Sequence, residues 1–231
     1  IIHRLQSQTY REAYLSNQEK FSEAITHTTT ILNKVELESL DNFEAQRQEV
    51  KDLLEQVRSA TSENYSYSLL SDPTFASVIA TTLWYSGEFG IPQLALTLTD
   101  SITHASETLG PEHPHILTAR NNLAESYRAS GNLDKAIELH QQVLGIRTRL
   151  LGPEHPHTLT SRNNLAGTYQ AAGQLNKAIN LHESTLEAQL HTLGPTHPHT
   201  LSSCNNLASA YQAAGQLNKA INLYQQNLEC L

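Results

Sequence analysis

Histidine is the residue type most open to chemistry in this chain. Twelve occur in 231 residues, and six of them form three His-Pro-His triplets: His113/His115, His155/His157 and His197/His199. Two imidazoles two residues apart could begin a zinc site, but such a site needs three or four protein ligands. No third ligand accompanies the triplets at a fixed spacing. Motifs carried on neighbouring packed helices stand about 8–10 Å apart, whereas a Zn–N bond spans about 2.0–2.1 Å. The triplets therefore read as turns, in which the first His organises the chain and the Pro sets the entry into a helix. No metal and no cofactor is expected. Nucleophilic catalysis has less support still. Cys204 stands where sister segments carry Arg120 and Arg162, and Cys230 lies in a terminal helix. The sequence has no GxSxG, no glycine-rich phosphate loop and no HExxH. Asn64-Tyr65-Ser66 fits a glycosylation sequon and reads as a chance match. No catalytic residue emerges, and the chain is not expected to be an enzyme.

The elements carrying these residues repeat. Three copies run from Leu109 to Leu150, from Leu151 to Thr192 and from Leu193 to the end, and Gly110, Gly152 and Gly194 set a period of 42 residues. Apolar spacing inside each copy is helical. In the first, Leu117, Leu123, Ala124 and Tyr127 form one stripe, and Leu133, Ala136, Ile137, His140, Val143 and Leu144 form another. Gly131 separates the stripes where a helix must stop, with Asn132 placed to cap the next one. Gly173 and Gly215 repeat that break. The GPEHPH segment divides consecutive copies, because its prolines cannot continue a helix. Each copy is a helix, a tight turn, a second helix and a longer turn. A single pair of this kind cannot bury both its faces, so neighbours must stack.

The pattern resembles the tetratricopeptide repeat in its 42-residue, kinesin-light-chain-like form. The family's small residue on the first helix, helix A, falls on Ala124, Ala166 and Ala208. Its tyrosine falls on Tyr127, Tyr169 and Tyr211, and the small residue of helix B on Ala136, Ala178 and Ala220. The resemblance covers residues 109–231. It implies an all-α fold, an α-solenoid in which antiparallel helix pairs stack into a right-handed superhelix. Residues 73–108 read as a degenerate repeat, with Leu83, Trp84 and Tyr85 on helix A, Pro92 opening helix B, and Leu94, Leu98 and Ile102 inside it. The ten-residue step from Tyr85 to Ala95, against nine from Tyr127 to Ala136, predicts an inter-helix turn longer by one residue. Residues 1–72 read as an irregular N-terminal helical region. Tyr14, Phe21, Ala24 and Ile25 echo a repeat there, Leu40, Phe43, Val50, Leu54 and Val57 form one side of a helix, and 61–72 reads as a loop. Repeats then occupy 109–150, 151–192 and 193–231.

Paired asparagines recur on helix A as Asn121/Asn122, Asn163/Asn164 and Asn205/Asn206. Asn is a poor helix former, so its presence mid-helix needs a reason. The second of each pair is expected to bond the backbone of the neighbouring unit. The first is different: the resemblance implies that helix A lines a concave face that binds peptides. The matching positions are Thr118, Asn121, Glu125 and Arg128; then Thr160, Asn163, Gly167 and Gln170; then Ser202, Asn205, Ser209 and Gln212. Amide side chains suit an extended peptide, since each can donate to a carbonyl and accept from an N–H. A ladder of Asn121, Asn163 and Asn205 would grip backbone, and Arg128 could pair an acidic side chain. A solvated polar face is the competing reading.

Charge and composition narrow the partners. Residues 109–231 hold eight of the 15 Lys/Arg and eight of the 23 Asp/Glu, so the whole net charge of −8 lies on residues 1–108. That distribution offers no basic footprint for a nucleic acid. No apolar run approaches the roughly 20 residues of a bilayer span, and two cysteines suit a reducing, cytoplasmic setting. The chain starts at Ile1 and lacks Met, which reads as a fragment. The leading expectation is a non-catalytic scaffold that binds a protein or peptide segment. A second is the sensor or regulatory region of a larger NLR-like signalling NTPase. A third is a structural, self-associating array, joined through an open C-terminal repeat whose Leu223, Leu228 and Leu231 are expected to be exposed.

Overall fold

The computed structural model describes residues 73–229, together with 47, 48, 50–52, 54, 55, 57, 58, 70 and 71. Every regular element among them is helical. In chain order these are α1 (Pro73–Glu88), α2 (Pro92–Ala95), a 3₁₀ turn (Leu96–Leu98), α3 (Thr99–Leu109), α4 (Pro114–Ala129), α5 (Leu133–Leu151), α6 (Pro156–Ala171), α7 (Leu175–Leu193), α8 (Pro198–Ala213) and α9 (Leu217–Glu229). They fall into two compact units, Ile1–Ser130 and Gly131–Leu231.

The His-Pro-His triplets set where helix A begins. His113, His155 and His197 are extended N-cap residues followed by Pro at the first helical position. In each, the Nδ1 of the first His accepts from the backbone N–H of the second, at 3.3, 3.2 and 3.2 Å. The imidazole thus satisfies one of the four amides that a helix start leaves open, a duty usually held by Ser, Thr, Asp or Asn. Helix A ends sixteen residues later in a three-residue turn whose glycine, Gly131, Gly173 or Gly215, has φ of 83°, 71° or 73°. A side chain there would meet left-handed backbone strain of roughly 1–2 kcal/mol. Asn132 then caps α5 by accepting from Lys135 N–H, as its position predicts.

In the first unit, α1 packs against α4. The two share one burial pattern: Phe75, Ala76, Val78, Ala80, Thr82, Leu83 and Tyr85 are buried in α1, as are Ile116, Leu117, Ala119, Asn121, Leu123, Ala124 and Ser126 in α4. That register corrects one expectation. The turn after α1, Phe89–Ile91, has the same three residues as Ser130–Asn132, so it is not expanded. The odd residue falls in the second helical arm, which runs from Pro92 to Leu109 and contains the tighter 3₁₀ turn at Leu96–Leu98. Asn122 Nδ2 donates to the Ala80 carbonyl at 2.9 Å, 42 residues away, which is the neighbour-bonding role expected of the second asparagine; Asn164 and Asn206 form no equivalent bond among the described residues. Upstream, Val50, Leu54 and Val57 are helical and buried, and Arg47 donates to the Phe89 carbonyl at 3.1 Å. The echo at residues 10–35, Leu40, Phe43, Asn64 and most of 61–72 lie outside the described residues.

In the second unit, α6 packs on α5 and α7, and α8 on α7 and α9. Ala166, Ala178 and Ala208 are fully enclosed and Ala220 nearly so, as positions of close helix approach require. Leu223, expected to be exposed, instead packs half-buried against the cluster of Ile179, Leu186, Leu207, Ala210, Tyr211 and Ala220; the side chains of Leu228 and Leu231 lie outside the described residues. Polar ties join successive repeats at a fixed spacing. Gln141 Nε2 donates to the Tyr169 hydroxyl at 2.7 Å, and the Tyr211 hydroxyl donates to Glu183 Oε1. Burial first, then the hydrogen bond and charge of Glu183, push the Tyr211 phenol up to about 12. The first unit holds the equivalent pair, Thr99 Oγ1 and Tyr127 OH at 3.3 Å. In all three the partners are 28 residues apart.

Replacing Asn122 by Ala removes one inter-repeat hydrogen bond and is expected to cost about 1 kcal/mol. Urea unfolding of the two proteins checks this: the midpoint falls, and the slope with denaturant stays unchanged.

Candidate functional site

The helix A positions that the sequence singles out occupy three kinds of surroundings. On α4, Thr118 is half-buried and its hydroxyl donates to the Pro114 carbonyl at 3.0 Å. Asn121 is 6% exposed; its Nδ2 reaches Asn122 Oδ1 at 3.5 Å, and its own Oδ1 is buried with no hydrogen-bond partner. Glu125 and Arg128 form an ion pair at 2.8 Å across one helical turn. Both are partly exposed, so this pair contributes at most about 0.5 kcal/mol and can be exchanged for a ligand carboxylate at little cost.

On α6, Thr160 is exposed and its hydroxyl donates to its own helix, to the Pro156 carbonyl at 2.9 Å. Asn163 is half-buried and fully engaged. Its Nδ2 donates to Ser203 Oγ at 2.7 Å, and its Oδ1 lies 3.2 Å from His182 Nδ1. Gln170 Nε2 donates to Ser209 Oγ at 3.1 Å. On α8, Ser202 and Gln212 are exposed. Asn205 is exposed as well, and its Oδ1 accepts from Asn227 Nδ2 at 2.7 Å.

The three asparagines expected to act as one ladder are therefore not equivalent. Asn121 is enclosed, Asn163 is held by two partners, and Asn205 is at the surface with its oxygen in use. Their shared feature is a hydrogen bond made inside the chain. What the structure does bring together in the second unit is a polar strip on α6 and α8. The Asn163–Ser203 and Gln170–Ser209 bonds join these two successive A helices side by side. Thr160, Ser202, Asn205 and Gln212 stand exposed along them.

Sequence reasoning passed over His182. It lies on α7 at 1% exposure, and its Nε2 is buried with no partner. Because Asn163 Oδ1 can only accept, the Nδ1 of His182 carries a proton; the enclosed Nε2, with no partner for a second proton, favours the neutral ring. Burial lowers its pKa to about 4. The signal was its place in the apolar stripe of helix B, which it shares with His140. Burial likewise lowers His115 and His157, with His113 adding to the first and Arg147 then His155 to the second. Arg147 is itself 5% exposed, donating to Ser161 Oγ at 2.8 Å and to the His157 carbonyl at 3.3 Å. Among the described residues, no three His, Cys, Asp or Glu side chains converge as a metal site requires.

The tetratricopeptide repeat family matches residues 97–149, 115–191 and 164–231, more than half of the chain. The chain belongs to that family, and its fold is an all-α solenoid. A Podosopora anserina kinesin light chain-type protein of nearly identical TPR-like repeats is 33% identical, with a TM-score of 0.65 over 81% of this chain and 88% of that one. BtubC from P. vanneervenii shares the fold at 17% identity and a TM-score of 0.67, over 99% of this chain and 87% of the other. A Rap protein solved in complex with competence and sporulation factor does so at 10% identity and 0.56, over 99% and 65%. No curated protein sequence matches the chain. Proteins of this family are in general non-catalytic scaffolds. No helix among the described residues is long and apolar enough to cross a membrane.

The burial of His182 gives a pH dependence of known sign. The unfolded chain takes up a proton near pH 6.5, while the folded chain resists until about 4. Stability from this group is thus complete above about pH 6.5 and is lost as the pH falls toward 4. The span corresponds to roughly 3 kcal/mol. His182→Gln keeps a donor for Asn163 but does not titrate. Urea midpoints of the two proteins should converge as the pH drops from 7 to 4; parallel curves would show that His182 does not contribute.

Proposed function

We propose that the chain is a protein-interaction scaffold that captures an extended segment of a partner protein on the exposed face of its A helices. One observation carries the reading: α6 and α8 are joined by the Asn163–Ser203 and Gln170–Ser209 bonds into a continuous polar strip. Thr160, Ser202, Asn205 and Gln212 on this strip offer hydroxyls and amides to a peptide backbone, which presents one donor and one acceptor per residue. Thr118, Asn121, Glu125 and Arg128 are the corresponding positions of α4, where Arg128 supplies a cation for an acidic side chain. Asn163 ties the strip together through Ser203 and His182, while contact with the ligand falls to the exposed residues. The Rap protein of the same fold, solved in complex with competence and sporulation factor, is consistent with this use. A reducing, cytoplasmic setting fits the low cysteine content. Nucleic acid is not a direct partner in this reading, because no basic stripe is available to neutralise phosphates.

The test uses a Thr160→Arg/Ser202→Arg/Gln212→Arg variant, which fills the strip with bulk while leaving the packed asparagines in place. Cross-linking capture of partners from native lysate, with circular dichroism to confirm equal helix content, should show a partner with the parent chain and at least a tenfold loss with the variant. Retention of the same partner would locate binding elsewhere on the chain.

A further inference from the structure

The chain's only tryptophan stands at the surface: Trp84, on α1, is 46% exposed. The helices α1, α4, α6 and α8 each have 16 residues and open with proline, so their positions correspond one to one. Trp84 takes the place of Glu125 on α4, Gly167 on α6 and Ser209 on α8. All three of these are partly exposed. The position stays open on α4, which packs against α1, and on α6, which packs against α5, α7 and α8. Exposure here is thus a property of the helix A face and does not come from a missing neighbour.

The indole is held in a defined setting. Tyr85 meets it edge to face at 4.8 Å, and Phe89 stacks on Tyr85 at 6.4 Å. Tyr85 and Phe89 are both buried, so two fixed rings brace the tryptophan while nearly half its surface stays in water. One turn further on lie Gly87 and Glu88, both exposed. A Cβ at Gly87 would meet nothing within 4 Å, which leaves room on that flank. Helical side chains lean toward the N-terminus, so Glu88 leans back over the turn that carries Trp84. Among the described residues, no cation pairs with Glu88. Glu125, by contrast, is answered by Arg128 at 2.8 Å. An aromatic face, a vacant flank and a carboxylate are what a guanidinium requires, because it stacks on the ring while its fork takes the two carboxylate oxygens. At longer range, residues 1–108 carry the whole net charge of −8, a field that attracts a basic segment.

We propose that the open face of α1 is a docking site for a basic segment of a partner protein, one arginine of which stacks on Trp84 and pairs with the Glu88 carboxylate. Arginine is preferred to lysine because a flat, weakly hydrated cation covers the indole and meets the carboxylate in one plane. The site lies within the first unit and does not depend on the polar strip of α6 and α8, whose hydroxyls and amides suit a backbone. It selects a side chain, and one opposite in sign to the partner that Arg128 would choose.

As the only tryptophan, Trp84 reports the site by its own emission. The probe is the peptide acetyl-GSRGSRGSR-amide. Titrated into the full chain, it should change that emission saturably, while the same peptide with citrulline for arginine should not. With a fluorescein label on the peptide, anisotropy extends the measurement to variants, and circular dichroism confirms equal helix content. Trp84→Leu and Glu88→Gln should each weaken binding about fivefold or more, and Trp84→Phe should fall between parent and Trp84→Leu. Glu107→Gln removes the same charge from an exposed position on α3 and should bind as the parent does. Absence of a saturable change, equal binding of the citrulline peptide, or parent-like binding by Glu88→Gln overturns the proposal. So does an equal loss in Glu107→Gln and Glu88→Gln, because attraction would then come from net charge without a site.

Discussion

The structure rests on one constraint: a helix pair of this length has two apolar faces and can cover only one of them by itself. The rest follows from how the second face is covered. Backbones approach where alanine leaves room, at Ala166, Ala178 and Ala208, and dispersion contacts at that distance add to the gain from burying apolar surface. Apolar contact alone does not fix how far one pair slides or rotates on the next. Direction is added by polar ties of fixed span, the tyrosine bonds across 28 residues and the Asn122–Ala80 bond across 42. Each tie closes only when the two helices meet in one register, since hydrogen bonds weaken steeply with misalignment.

The same logic explains why so much polarity lies inside the second unit. Thr158, Ser161, Thr168, His182, Thr185, Thr200 and Ser203 are all buried. Several satisfy themselves on their own helix: Thr185 donates to the Leu181 carbonyl and Thr168 to that of Asn164. Asn163 links His182 on one side to Ser203 on the other, spanning three helices with one side chain. Leaving such a group without partners would cost about 1–3 kcal/mol, so the network penalises any stacking other than the native one.

Period and helix boundaries were legible because they are local. Prolines, glycines and the first histidine of each triplet act through their own backbone, and three copies state the pattern repeatedly. What escaped the sequence depends on helix rotation against a neighbour. Asn121 and Asn205 look alike in the chain yet are enclosed and exposed respectively. His182 reads as one more polar residue until α8 covers it. Counting from Tyr85 suggests an extra residue in the turn because the tyrosine does not keep its position on α1; the burial register shows instead that the second arm is one residue shorter.

Three near-identical copies also permit a comparison that no other sequence is needed for. Residues that stay the same in every copy can be checked against the packing, and most are explained by it. The first asparagine is invariant and is enclosed or bonded. The lysine at 177 and 219 is invariant and exposed, and it lies over the Tyr169 and Tyr211 rings at 5.2 and 4.9 Å. Invariance among copies therefore reports stacking, even where the side chain is polar. Positions that vary include buried ones, Ile116/Thr158/Thr200 and Ala119/Ser161/Ser203 among them, as well as the helix A sets Thr118/Thr160/Ser202, Glu125/Gly167/Ser209 and Arg128/Gln170/Gln212. Of the helix A sets, Arg128, Thr160, Ser202 and Gln212 are exposed, and changing them costs the fold little. Selection for a particular ligand can act there without disturbing the ties between repeats.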